Sequence, residues 1–245
     1  MCRKWHNRQL MKKKLQAITL LLVIFCVTGW GPFSLFYRTI DVPIGSKEWV
    51  EKEIQRVHSQ ASNIDSNVLK MSLIAYLNAK QKGLPVKNLL TIIDYSKPSN
   101  ERRLWVIDLR NAKVLFNTWV THGRNSGKIN ATSFSNERGS LKSSLGVFLT
   151  TKSPYIGSNG YSLRLVGLEN GINDNAFQRA IVFHGAWYAN PSVIRKYGWL
   201  GRSFGCPAVS EDIARPLINT IKDKSLVFVY YSDRHWLNHS TFLRA

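Results

Sequence analysis

The spacing of apolar positions changes near residue 90, and the change divides the chain. Before it, Leu69, Leu73, Tyr76 and Leu77 recur at i, i+4, i+7 and i+8, which places them on one face of a helix. Asp65 or Ser66 stands where the helix needs an N-cap, and Gly83 and Pro85 follow as stop signals. A shorter helix is predicted over Lys47–Val57, after a linker that begins near residue 41. Beyond residue 90 the apolar runs shorten and become rich in β-branched residues. Thr91–Tyr95, Leu104–Leu109, Val114–Val120, Val147–Thr151, Leu163–Leu168, Ala180–Phe183 and Leu226–Tyr231 read as strands between Gly, Asn and Ser clusters. Arg110-Asn111 predicts a hairpin turn between the second and third. A helix is expected over Glu211–Ile221, with Ser210 as cap and Glu211 and Asp212 favourable in its first turn. Pro216 is expected to limit or bend it.

The pattern predicts an α+β, mainly β fold, in which a mixed β-sandwich or barrel-like domain spans residues 90–232. A helical segment over 41–89 packs on it, and a C-terminal tail covers 233–245. At 245 residues the chain has room for one sizeable domain and a leader. The first 40 residues read as that leader. A cationic stretch ending at Lys14 runs into the apolar segment Ala17–Val27, with small residues at Gly29 and Gly31. The expectation is an exported protein of the periplasm or cell envelope. The leader is either a cleaved signal peptide or a retained anchor that gives membrane association through the N-terminus.

Net charge is +19, from 34 Lys+Arg against 15 Asp+Glu. The basic residues are scattered, with no basic helix and no zinc-finger spacing, so no nucleic-acid partner is expected. An anionic wall polymer or membrane surface suits the charge as well.

Cys206 is the only cysteine beyond residue 26, so it has no internal disulfide partner in a mature exported chain. It lies in Arg202-Ser203-Phe204-Gly205-Cys206-Pro207-Ala208. His184-Gly185 lies upstream, with 18 residues between His184 and Ser203. A thiol needs a base to attack near neutral pH, and a lone Cys with a distant His is the least that acyl transfer requires. His184 ends the predicted strand Ala180–Phe183, a rigid place for a base. Pro207 has no N–H, so oxyanion donors would come from the backbone of Phe204, Gly205 and Cys206. In the run Thr121–Gly127, His122 is a candidate second ionisable group and Arg124 a candidate carboxylate clamp. A zinc site of Cys206, His184 and His122 has the right ligand types but no short-spaced pair, so no metal and no cofactor are expected.

These residues resemble the L,D-transpeptidase (YkuD-type) catalytic domain, in its murein L,D-transpeptidase subfamily. The likeness is carried by His184-Gly185 with Ser203-Phe204-Gly205-Cys206, and by His122–Gly127, Phe134–Asn136, Ser143–Gly146, Gly160–Leu165 and Gly201–Ser203. The resemblance implies an acyl-enzyme on Cys206, formed from peptidoglycan stem tetrapeptides with release of D-Ala and resolved by an acceptor amine. Water as acceptor would make the site an L,D-carboxypeptidase, and the same fold without turnover would be a wall-binding protein. His184, Gly185 through its carbonyl, and Ser203 would complete the catalytic group, with His122, Arg124 and Arg202 on the substrate. A monomer is expected. The chain departs from the common family pattern, Ser/Thr-His-Gly-Cys with a polar residue shortly after the Cys: Phe204 stands where the pattern has His, and Pro207-Ala208 follows Cys206.

Overall fold

The structure is a computed structural model and describes residues 43–244. The expected leader over residues 1–40 lies outside them. Among the described residues, no helix is long and apolar enough to cross a membrane.

Helix α1 (Lys47–His58) opens on Ser46, whose hydroxyl accepts the Trp49 N–H at 3.0 Å. Helix α2 (Ser66–Gln81) opens on Asp65, which accepts the N–H groups of Asn67 and Val68. Its buried face carries Val68, Leu69, Leu73, Ala75, Tyr76 and Ala79, with Leu77 at the margin. That face lies on β1 (Leu89–Asp94) and β9 (Leu226–Tyr230). Both strands are buried along nearly their whole length, so they read as continuous apolar runs rather than alternating ones.

Nine strands form one sheet in the order β3-β2-β1-β9-β4-β6-β7-β8, with β5 paired to β6. The remaining strands are β2 (Leu104–Asp108), β3 (Lys113–Thr118), β4 (Gly146–Thr150), β5 (Tyr155–Gly157), β6 (Gly160–Gly167), β7 (Val182–Gly185) and β8 (Ala208–Val209). The sheet is mixed. β1 runs parallel to β9, β7 runs parallel to β8, and the other pairs are antiparallel. The turn from β2 to β3 is set by Asp108, whose carboxylate accepts the Arg110 N–H and the Asn111 side-chain amide.

The segment that follows β3 brings the two ends of the sheet together. Thr121 donates its N–H to the Ala208 carbonyl at 2.9 Å, and the Ala208 N–H returns to the Thr121 hydroxyl at 3.2 Å. Gly123 and Ser203 form a further parallel bridge. The sheet is thereby nearly closed into a barrel, mainly β with five helices among the described residues.

Several elements escape the sequence pattern for identifiable reasons. β5 and β8 have three and two residues, too few to show a period. Helix α3 (Pro191–Tyr197) buries no residue and so has no apolar face to read. The segment expected as a C-terminal tail instead forms helix α5 (Arg234–His239) and buries Trp236 and Phe242. Helix α4 (Glu211–Ile221) runs unbroken through Pro216, which sits on its exposed side.

Glu169 ties α5 to the barrel. Only 4% of it is exposed, and one carboxylate oxygen accepts both the Val147 N–H at 2.7 Å and the Trp236 indole N–H at 3.2 Å. Among the described residues its other oxygen has no hydrogen bond within 3.5 Å. Gly146 makes room for this contact, since a Cβ there would meet the carboxylate, and its φ of +102° suits glycine. Burial raises the Glu169 carboxyl above its ordinary value. The folded chain therefore holds this proton over a pH range in which the unfolded chain has released it. Its stabilising contribution is present at low pH and is lost as pH rises through the folded value. Glu169→Gln removes that ionisation. At about pH 8 it should melt a few degrees above the parent, and the gap should close at about pH 4. Thermal melts with the same gap at both pH values would contradict the assignment.

Candidate active site

The parallel pairing of β7 with β8 sets the geometry. His184 is in register with Ala208 and Gly185 with Val209. Cys206 precedes Ala208 by two residues and Val182 precedes His184 by two, so the thiol sits against the β7 backbone one repeat before the imidazole. Its sulfur accepts the Val182 N–H at 3.5 Å and donates to the Ala180 carbonyl at 3.6 Å. Among the described residues no hydrogen bond joins it to His184.

His184 is 4% exposed, and its Nδ1–H donates to the carbonyl of Gly185, the next residue, at 2.9 Å. That bond leaves Nε2 with its lone pair, the form a base requires. Burial holds the imidazole below its ordinary value, with the Gly185 carbonyl acting the other way. Burial also raises the Cys206 thiol, opposed by the Val182 N–H and the positive charge of Arg179. At rest both groups are driven toward their neutral forms. Gly185 is itself confined, because a Cβ would press on Ala214 and Glu211 of α4.

The loop that carries the thiol is fixed from within by Ser203. Its hydroxyl donates to the Cys206 carbonyl at 2.6 Å and accepts the Gly205 N–H at 3.1 Å. The expectation that Gly205 supplies an oxyanion donor is corrected by this bond, since its N–H is already engaged. Among the described residues the Phe204 and Cys206 N–H groups have no hydrogen-bond partner, and those two donors remain. Ser203 thus braces the loop from within. Gly205 has φ of +122°, and a Cβ would lie 2.7 Å from the Lys142 carbonyl.

His122 does not reach the surface. It is fully buried, its Nδ1 accepts from Arg103 at 2.8 Å, and its Nε2–H points to the Gly127 carbonyl at 3.4 Å. Neither nitrogen is left for a ligand, so the expected part in substrate contact is corrected. Burial and the Arg103 charge lower its pKa to about 3.

Arg124 and Arg202 are exposed beside the thiol loop. Arg124 lies 5.6 Å from the centre of the Phe204 ring, which is 67% exposed. Arg202 donates to the carbonyls of Arg124 and Gly127 and lies over Trp199, as does Lys128. The chain has no Asp or Glu from Leu109 to Asn136, nor from Asn175 to Ser210. These two stretches contain Arg124 and Arg202, so these cations face no carboxylate from their own segments. This acid-free spacing is a signal that was readable in the sequence. Two arginines were not: the fully buried Arg103, and Arg179, which lies next to Ala180. Among the described residues, no group of three His, Cys, Asp or Glu side chains that could hold a metal ion occurs.

The profile of the L,D-transpeptidase catalytic domain matches residues 60–230. The chain belongs to that family. The match takes in α2 as well as the barrel, so the family domain begins ahead of the first strand. Among solved structures, the L,D-transpeptidase from Mycobacterium smegmatis is similar at 13% identity, covering 59% of this chain and 59% of that one, with a TM-score of 0.37. L,D-transpeptidase 1 from Mycobacterium tuberculosis shows 15% identity over 59% of this chain and 62% of its own, with a TM-score of 0.33. The L,D-transpeptidase (Yku) from Stackebrandtia nassauensis shows 12% identity over 76% of this chain and 93% of its own, with a TM-score of 0.35. The chain thus spans about three-fifths of the length of the two mycobacterial structures. No curated protein matches it.

Within this L,D-transpeptidase domain the two inner histidines should titrate far from ordinary imidazole behaviour. The neutral form of His122 favours the folded state fully above the ordinary value. That contribution drains away as pH falls toward about 3, because the unfolded chain takes up the proton first. In ring-resolved NMR titrations, His122 should stay neutral with its proton on Nε2 down to about pH 5, and the His184 midpoint should lie below about 6.5. An ordinary midpoint for His122 would contradict the Arg103 contact.

Proposed function

We propose that this L,D-transpeptidase domain acts on peptidoglycan stem tetrapeptides through an acyl-enzyme on Cys206. The observation that carries the reading is the β7–β8 register. It sets a histidine with a free Nε2 and the only cysteine of the described residues on adjacent, parallel-paired backbone.

The chemistry follows from those positions. The Cys206 thiol turns off the Ala180 carbonyl and gives its proton to Nε2 of His184. The sulfur forms a bond to the carbonyl carbon that joins the third stem residue, at its L-centre, to D-Ala. The Phe204 and Cys206 N–H groups receive the negative oxygen that develops. As the tetrahedral species collapses, the C–N bond breaks, and the imidazolium returns its proton to the departing D-Ala amine. An acceptor amine then attacks the thioester, loses a proton to His184 and releases the thiol. Stem peptides carry free carboxylates, which suits Arg124 and Arg202 at the exposed rim of the thiol loop, with no acid in their two segments. The basic charge of the whole chain suits an exported protein working on an anionic wall. Hydrolysis by the same site is the second reading, and water then replaces the acceptor amine.

Incubation with tetrapeptide muropeptides separates the readings by product: cross-linked dimers for transfer, tripeptide with free D-Ala for hydrolysis, and unchanged substrate for a binding protein. Cys206→Ala should abolish turnover and leave the melting temperature within a few degrees of the parent, since it truncates one atom. His184→Asn should lower kcat by about 100-fold or more. Full activity in Cys206→Ala would end the proposal.

A further inference from the structure

Arg179 has no part in the reading so far, yet it is the charged group most closely built into the thiol's surroundings. It precedes Ala180, whose carbonyl accepts the thiol. Ala180 holds φ of +53°, a conformation that costs a residue with a Cβ about 1 kcal/mol. The tight turn is closed by the Arg179 N–H on Asn175 and the Ile181 N–H on Ala176. It sends the Arg179 side chain back across the loop of residues 135–144.

There the guanidinium is held in place. One terminal nitrogen donates to the Ser135 carbonyl at 2.6 Å and the Ser144 hydroxyl at 2.5 Å. The other donates to the Lys142 carbonyl at 2.6 Å and the Ser140 hydroxyl at 3.2 Å. That second nitrogen lies 3.5 Å from where a Cβ on Gly205 would stand, against the backbone leading into Cys206. All four acceptors are neutral. Among the described residues no carboxylate lies within salt-bridge distance of Arg179. A fixed, half-buried cation without a counter-ion projects its charge on what lies beside it, and screening by solvent is reduced there.

We propose that Arg179 is a positioning residue whose fixed positive charge stabilises the Cys206 thiolate as it forms, while His184 takes the proton. The bonding of the sulfur places it beside that charge: at rest it is a thiol that accepts the Val182 N–H and donates to the Ala180 carbonyl next to Arg179. Burial raises the thiol, and the cation acts against that burial, while the thiolate in turn raises the guanidinium. Neutral acceptors are essential to the device, because a carboxylate in place of Ser140 or Ser144 would cancel the charge. The inference deepens the reading of Cys206 as nucleophile and rests on it only for the use made of the thiolate.

The test reads the thiolate directly. In the full chain, the rate of iodoacetamide alkylation is followed against pH by mass spectrometry of the peptide containing Cys206, for the parent, Arg179→Lys and Arg179→Gln. Arg179→Gln should move the midpoint up by about one pH unit or more, a loss of about tenfold in rate at neutral pH. Arg179→Lys keeps the charge and should stay close to the parent. A midpoint unmoved in Arg179→Gln, or moved equally in both variants, would overturn the proposal and leave Arg179 as a strut. A second measurement needs no change at Arg179. The 15Nε resonance of Arg179 in the parent should show an inflection at the alkylation midpoint that is absent in Cys206→Ser. No inflection in the parent would equally overturn it. Failure of the functional reading looks different: a shifted alkylation profile with no product from muropeptides.

Discussion

A guanidinium with no exposure to water, Arg103, fixes the wall against which the thiol loop is built. A charge in that position demands an acceptor for each N–H. The chain supplies acceptors for four of its five N–H groups, the Val120 carbonyl twice, the Lys97 carbonyl and the neutral Nδ1 of His122, with the face of Tyr95 at 4.9 Å. These bonds hold Val120–His122 at one depth. From there the backbone passes the constraint on: the Ser203 N–H to the His122 carbonyl, the Arg124 N–H to the Ser203 carbonyl, and the Thr121–Ala208 pair that draws the ends of the sheet together. Hydrogen bonds to a charged group are each worth about 1.5–3 kcal/mol, so the neutral state of His122 is a condition of the fold rather than a detail of the site.

The electrostatic character of the centre comes from cations that, among the described residues, make no ion pair with a carboxylate. Arg103 stands behind it, Arg179 beside it, and Arg124 and Arg202 at the exposed rim of the thiol loop. With two buried neutral groups at its heart, the site stores little charge of its own in the resting state. It is arranged to receive charge: first on sulfur, then on the carbonyl oxygen under attack. An ion pair already formed between Cys206 and His184 would have to be desolvated and held at the cost of burial, and the observed bonding of the sulfur to backbone avoids it.

Much of this was legible in the residues. The central strands showed as apolar runs because helix and barrel interior cover both faces. Asp65 and Ser210 stand at the N-caps of α2 and α4. His184 and Cys206 stood out by chemistry alone, one closing an apolar strand and the other an unpaired sulfur among glycines. What the pattern withheld was of two kinds. Elements with few buried side chains, such as β8 and α3, leave no period. Roles fixed by contacts between distant segments also leave no local trace. His122 sits in a run that looks like a functional loop, and only Arg103, on the neighbouring strand register, shows why it is inert. Gly205 looked like a donor until Ser203, two residues earlier, proved to occupy its N–H.

The bracing of the loop by Ser203 bears on the residue it encloses. Phe204 is flanked by a hydroxyl clamp on one side and a glycine in a left-handed conformation on the other, so its backbone is set by its neighbours while its side chain projects into solvent. The shape of the side chain at 204 is thus uncoupled from the placement of the sulfur two residues on: the ring faces water, and the backbone beneath it is held by bonds that the ring does not make.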